Sequence, residues 1–91
     1  MSHTVHIPTP LRQYTEKLDT VQVDGATVGD LLAQLTTKYP ELKKHLYNEQ
    51  GKLRSFVNVY LNDEDVRFLE GLQTEIPEGA RISIIPAVAG G

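Results

Sequence analysis

Ninety-one residues are enough for one small domain with a single core and leave no room for a second. The absence of cysteine excludes disulfides, thiolate metal sites, a cysteine nucleophile and sulfur carried on a side chain. Nine basic against twelve acidic residues give a net charge of −3, the wrong sign for nucleic acid, and without an apolar span or a signal-peptide core the expected setting is the cytoplasm, with no membrane partner.

Val5 and Ile7 share one side of an extended segment over Thr4–Ile7, and Pro8 and Pro10 then interrupt pairing, which predicts a first strand. Leu18 to Val23 alternates, with Val21 and Val23 on one face and Asp24-Gly25 as a turn, which predicts a second. From Thr27 the period changes. Val28, Leu31, Leu32, Leu35 and Tyr39 form one helical stripe, with Thr27 as N-cap and Asp30 near the positive end of the helix dipole. Gly29 weakens the first turn. Pro40 breaks the helix, and Leu42 and Leu46 at i, i+4 predict a second short helix over Glu41–Tyr47.

The strongest strand pattern is Phe56–Leu61, where Val57, Val59 and Leu61 alternate with Phe56, Asn58 and Tyr60; it is expected at the centre of the sheet. Asn62 to Asp65 reads as a polar turn and Val66–Phe68 as a short returning strand. After an irregular stretch from Leu69 to Pro77, Arg81–Ile85 is the last strand, stopped by Pro86. This order predicts an α+β fold, a mixed sheet packed on one main helix in the β-grasp, or ubiquitin-like, arrangement. Residues 1–85 form the β-grasp domain and residues 86–91 a flexible C-terminal tail.

Candidate chemistry inside the globule is sparse. His3 and His6 stand three apart on a strand and point to opposite faces, so they make a poor chelate, and surface histidines are the expectation for His3, His6 and His45. No metal site or bound cofactor is expected. Asp63, Glu64, Asp65, Glu70, Glu75 and Glu78 read as solvated turns, or as a patch that steers a basic partner. Lys43, Lys44, Lys52 and Arg54 read as a counterpart patch, or as the wet side of a helix and its loop.

The ending Pro86-Ala87-Val88-Ala89-Gly90-Gly91 is more informative. Gly90 and Gly91 have no side chains to keep them out of a narrow channel, and another backbone or a nucleotide can approach the terminal carbonyl closely. A carboxylate there is a poor electrophile until it is activated. An ATP-using partner can convert it to an acyl adenylate, whose AMP leaves readily. Sulfide would then leave a thiocarboxylate, and a lysine amine an isopeptide bond.

With the Phe56–Phe68 stretch, Gly71-Leu72, and His6-Ile7-Pro8-Thr9 and Leu11-Arg12 near the start, this tail resembles the ubiquitin-like sulfur-carrier family of the MoaD/ThiS type. That family includes the molybdopterin synthase small subunit and the thiamine-pathway carrier, and the nearest likeness is to its cysteine-biosynthesis branch. The resemblance implies a β-grasp carrier that is a co-substrate rather than an enzyme. It implies three partners: a ubiquitin-activating-type adenylating enzyme that uses ATP, a PLP-dependent cysteine synthase that takes the sulfur through O-phosphoserine, and a metalloprotease that releases cysteine. On the same basis Gly91 carries the adenylate and then the thiocarboxylate, Gly90 supplies access, and Val88 and Ala89 line the partner's channel. The molybdopterin carrier shows a second proline where Ala87 stands, which weighs against that branch. A modifier that joins Gly91 to target lysines and a noncovalent adaptor are the competing readings.

Overall fold

The computed structural model describes residues 2–54 and 57–86. Among the described residues there are five strands, four of them set up by alternation of β-branched and polar residues and the fifth a two-residue edge strand. They are β1 (Ser2–His6), β2 (Thr20–Asp24), β3 (Val57–Leu61), the two-residue β4 (Glu64–Asp65) and β5 (Arg81–Pro86). Helices α1 (Val28–Lys38) and α2 (Pro40–Leu46) fall between β2 and β3. The sheet order is β2-β1-β5-β3-β4. β1 and β5 run parallel, with Val5 opposite Ile82, and the helical crossover between them makes that pairing possible. The neighbouring pairs are antiparallel. This is the expected β-grasp arrangement.

One face of the sheet is dry. Val5, Val21, Val23, Val59, Ile82 and Ile84 turn toward α1, whose Leu31, Leu32 and Leu35 are fully buried against them. The predicted helical stripe is therefore the core face of α1. Thr27 caps it, its Oγ1 accepting from the Asp30 N–H at 3.2 Å. Pro40 opens α2 at the first helical position, where its missing N–H and fixed φ suit a helix start.

Four expectations are corrected. The centre of the sheet is β5, not the Phe56–Leu61 strand, which lies next to the β4 edge; Phe56 itself is outside the described residues. Both strands alternate well, and alternation reports burial, not the choice of neighbours. Val66–Phe68 is a 3-10 turn rather than a strand, because the buried Asp65 caps it, accepting the Arg67 N–H at 2.9 Å. Pro86 closes β5 instead of stopping it, paired with Val57. The β1 register has already ended at Ser83, so at Pro86 the strand is paired on one side and a missing N–H is tolerated. Gly29 lies close to a neighbour: a Cβ there would stand 3.0 Å from the Leu72 carbonyl oxygen, a tight contact.

His3 is the fourth correction. It is 3% exposed rather than on the surface, because β1 alternation puts it on the core side with Val5. Its Nε2 lies 3.0 Å from the Gly25 carbonyl. A carbonyl only accepts, so Nε2 carries the proton. His6 points the other way and is exposed, and His45 is half-buried and stacked on Tyr14.

Candidate functional site

The site predicted from the tail comprises Val88, Ala89, Gly90 and Gly91, all outside the described residues. The structure does show what holds the root of that tail. β5 is paired with β3 from Ile82 through Pro86 and with β1 from Arg81 through Ser83. The last described residue is therefore fixed in the sheet, and five residues beyond it can span at most about 17 Å.

Among the described residues the second face of the sheet carries no α-helix. Thr4 and His6 of β1, Asn58 and Tyr60 of β3, and Ser83 and Ile85 of β5 alternate with the core residues and are exposed or half-exposed. Ile85 is 47% exposed, a large apolar side chain one residue before Pro86. It shares a shallow groove of about 430 Å³ with His6, Pro8, Arg12, Arg81 and Ser83. The groove lies where the C-terminal ends of β1 and β5 meet, beside the tail root.

Three guanidinium groups edge this face. Arg12 is held by its Nε, which donates to the Ile7 carbonyl at 3.0 Å. Arg67 is held most firmly: its Nη2 lies 2.9 Å from Asp65 Oδ2, and the same nitrogen donates to Asn58 Oδ1. The side-chain hydrogen bond from Arg67 to Asp65, then the Arg67 backbone N–H and its charge, hold the Asp65 carboxyl below the usual carboxylate range against the opposing effect of burial; Asp65 in turn raises the Arg67 pKa. Arg81 lies 3.6 Å from Asp63, with both side chains in water, where such a pair contributes little. Arg12 is in neither ion pair among the described residues.

Asp65 was expected in a solvated turn. It is buried and serves as a structural anchor, for which a carboxylate two residues before an arginine was the available signal. Glu64, Glu70, Glu75 and Glu78 are exposed as expected. Among the described residues no group of three or more His, Asp or Glu side chains is placed to hold a metal ion, and no helix is long and apolar enough to cross a membrane. What the described residues offer is a strand held in the sheet as far as Pro86, next to an open, partly apolar, basic-edged face.

Comparison with known proteins gives the family and the fold. The model of the ThiS family matches residues 5–91. The chain is 45% identical to the sulfur carrier protein CysO of Mycobacterium tuberculosis H37Rv, with the whole of both chains covered. It is 41% identical to small archaeal modifier protein 3 of Haloferax volcanii, over 75% of this chain and 73% of that one. Among solved structures, a chain in the crystal structure of the Amycolatopsis orientalis BexX/CysO complex superposes with a TM-score of 0.87 at 45% identity, covering 97% of this chain and 98% of that one.

Proposed function

The chain belongs to the ThiS family, and from that premise we propose that it is a sulfur carrier whose Gly91 carboxylate is the reacting group. The observation that carries this reading is the 45% identity to a sulfur carrier protein over the full length of both chains. In the first step a Gly91 carboxylate oxygen attacks the α-phosphorus of ATP on a ubiquitin-activating-type enzyme. Pyrophosphate leaves and an acyl adenylate remains. Hydrosulfide then attacks the carbonyl carbon, AMP departs with the C–O bonding pair, and the terminus becomes a thiocarboxylate. The chain supplies no thiol of its own that could intercept the adenylate.

On this reading the protein is a co-substrate and binds no cofactor; ATP is used by the activating partner. The tail, with Val88, Ala89 and Gly90, lines the partner's channel. The open sheet face, with Ile85 at its apolar point and Arg12 at its rim, docks the body outside. The sulfur acceptor is a PLP-dependent cysteine synthase, followed by a metalloprotease that frees the cysteine. Intact mass after incubation with activating enzyme, ATP and sulfide tests the chemistry. One oxygen-for-sulfur exchange confined to the C-terminal peptide is expected, and an unchanged mass overturns the proposal.

The Haloferax match favours a second reading, in which the same adenylate is attacked by a target lysine. Stable adducts of higher mass that survive denaturation and reduction would mark it. Their absence from cells, alongside thiocarboxylate formation, assigns the chain to sulfur transfer alone.

A further inference from the structure

The helix side of β3 carries a second surface that the carrier chemistry does not use. Leu53, Val57, Val59, Val66 and Leu72 line a hollow of about 210 Å³ with Arg54 and Arg67 at its rim. Arg54 also borders an adjacent hollow of about 250 Å³, whose lining includes Lys43, Lys44 and Tyr47. One guanidinium thus stands between an apolar depression and a lysine-bearing one.

Arg54 is built into place. Asn48 Oδ1 accepts the N–H groups of Gln50 and Lys52 and folds the loop after α2, and Tyr47 and Leu53 bridge across its base. The Arg54 backbone N–H then donates to the Leu46 carbonyl at 2.9 Å. Its Nε and Nη2 donate to the Lys44 carbonyl at 3.3 and 3.2 Å, near the C-terminal end of α2, where a cation is favoured. Those contacts orient the guanidinium without neutralising it, and among the described residues it has no carboxylate within ion-pair distance. Arg67, by contrast, is already paired with Asp65. The excess positive charge of this surface therefore lies on the Arg54, Lys43 and Lys44 side.

We infer that this surface is a second docking site, and that its occupant is an acidic segment of a partner protein. One apolar side chain of that segment seats in the hollow, and its carboxylates face Arg54, Lys43 and Lys44. Charge complementarity selects this occupant: the apolar depression rejects a wholly polar ligand, and the adjoining cations reject a neutral one. The apolar lining of the first hollow disfavours a nucleic-acid backbone, whose sugar-phosphate chain offers no aliphatic side chain to seat there; Glu49, in the lining of the lysine hollow, leaves Arg54, Lys43 and Lys44 in excess. Val57, in the wall of the hollow, pairs with Pro86, so the site adjoins the tail root from the side opposite the open face. A partner held there leaves that face uncovered.

The test uses the full chain, labelled with nitrogen-15 and titrated with the blocked peptide acetyl-Glu-Glu-Leu-Phe-Glu-Glu-amide. Amide shifts are expected at Lys44, Leu53, Arg54 and Leu72, and not at His6, Ser83 or Ile85. Replacing the peptide's glutamates by glutamine, or its leucine and phenylalanine by serine, should each weaken binding about tenfold, as should Arg54→Gln. The exposed pair Lys43→Gln and Lys44→Gln provides a variant that leaves the Arg54 contacts in place; it should weaken binding about threefold to fivefold. The inference is overturned by shifts centred on the open face, by equal binding of the glutamine peptide, or by concentration-dependent shifts of the same amides without peptide, which would make a second copy the occupant. Tighter binding of phosphatidylserine vesicles or of a single-stranded oligonucleotide at the same amides also overturns it. The readout does not involve Gly91, so its failure is distinct from failure of the sulfur-carrier reading.

Discussion

At Gly25 and Asp65, single atoms decide the outcome. A Cβ on Gly25 would lie 2.6 Å from the Leu31 backbone nitrogen and 2.7 Å from its Cα. Those atoms belong to α1 and cannot move without shifting the helix. Gly25→Ala should destabilise the domain by about 1–3 kcal/mol, the usual cost of overpacking, read as a lower urea midpoint at constant slope. The direction of the Asp65 shift sets a pH dependence. Its carboxyl pKa is lowered in the folded state by Arg67, so the unfolded chain takes up the proton first. The resulting stability is fully present above the unfolded value of about 3.9 and is lost as pH falls through the lower folded value. Asp65→Asn should lower the melting temperature at pH 7, and the gap between the two proteins should close on acidification below about pH 4. A constant gap across that range would refute the ion pair as its source. The sequence carries only part of either role, since Asp24-Gly25 marks a turn and Asp65 stands two residues before Arg67. Asp65 looked like one acid among six, and the burial of His3 against the Gly25 carbonyl depends on a partner strand, which a single sequence does not display.

At the scale of elements, legibility followed the range of the interactions. The stripe Val28, Leu31, Leu32, Leu35 and the cap at Thr27 are local features, and α1 begins where they predict. The order of strands depends on contacts between distant segments, and there the expectation of a central Phe56–Leu61 strand gave way to β5. β4, only two residues long, is too short for any periodicity. The candidate site divides in the same way. Its tail is proposed from residue chemistry and resemblance and lies outside the described residues, whereas Arg12 beside Ile85 is a juxtaposition that the parallel alignment of β1 and β5 creates. The start of α1 permits a clean prediction, because Thr27 Oγ1 holds the Asp30 N–H while the Val28 N–H is separately held by the Thr74 carbonyl at 2.9 Å. Thr27→Ala should cost about 1 kcal/mol and Thr27→Asp a few tenths or nothing, in equilibrium urea unfolding. An equal loss in both would mean that the cap acts through packing.

On the scale of the whole molecule, the proposed function assigns holding to the sheet face and delivery to the tail. The open face presents Ile85, with Arg12 at the groove rim, on one side of the sheet, and β5 fixes the backbone as far as Pro86. If docking and delivery are separate, substitutions should divide between kinetic constants. Ile85 is 47% exposed, so its side chain contributes modestly to the core. Ile85→Glu removes an apolar contact and adds a charge on the surface that docks. In pyrophosphate exchange by the activating enzyme, with the carrier as the varied substrate, its KM should rise about tenfold, the equivalent of about 1.4 kcal/mol. Its kcat should stay unchanged, because a carrier that does dock still presents Gly91 normally. Gly90→Ala should do the reverse: a methyl group in the partner's channel slows the chemical step, and kcat should fall while KM and the melting temperature hold. If both variants change KM alone, tail and face act as one binding surface, and β5 is only a strand of the core.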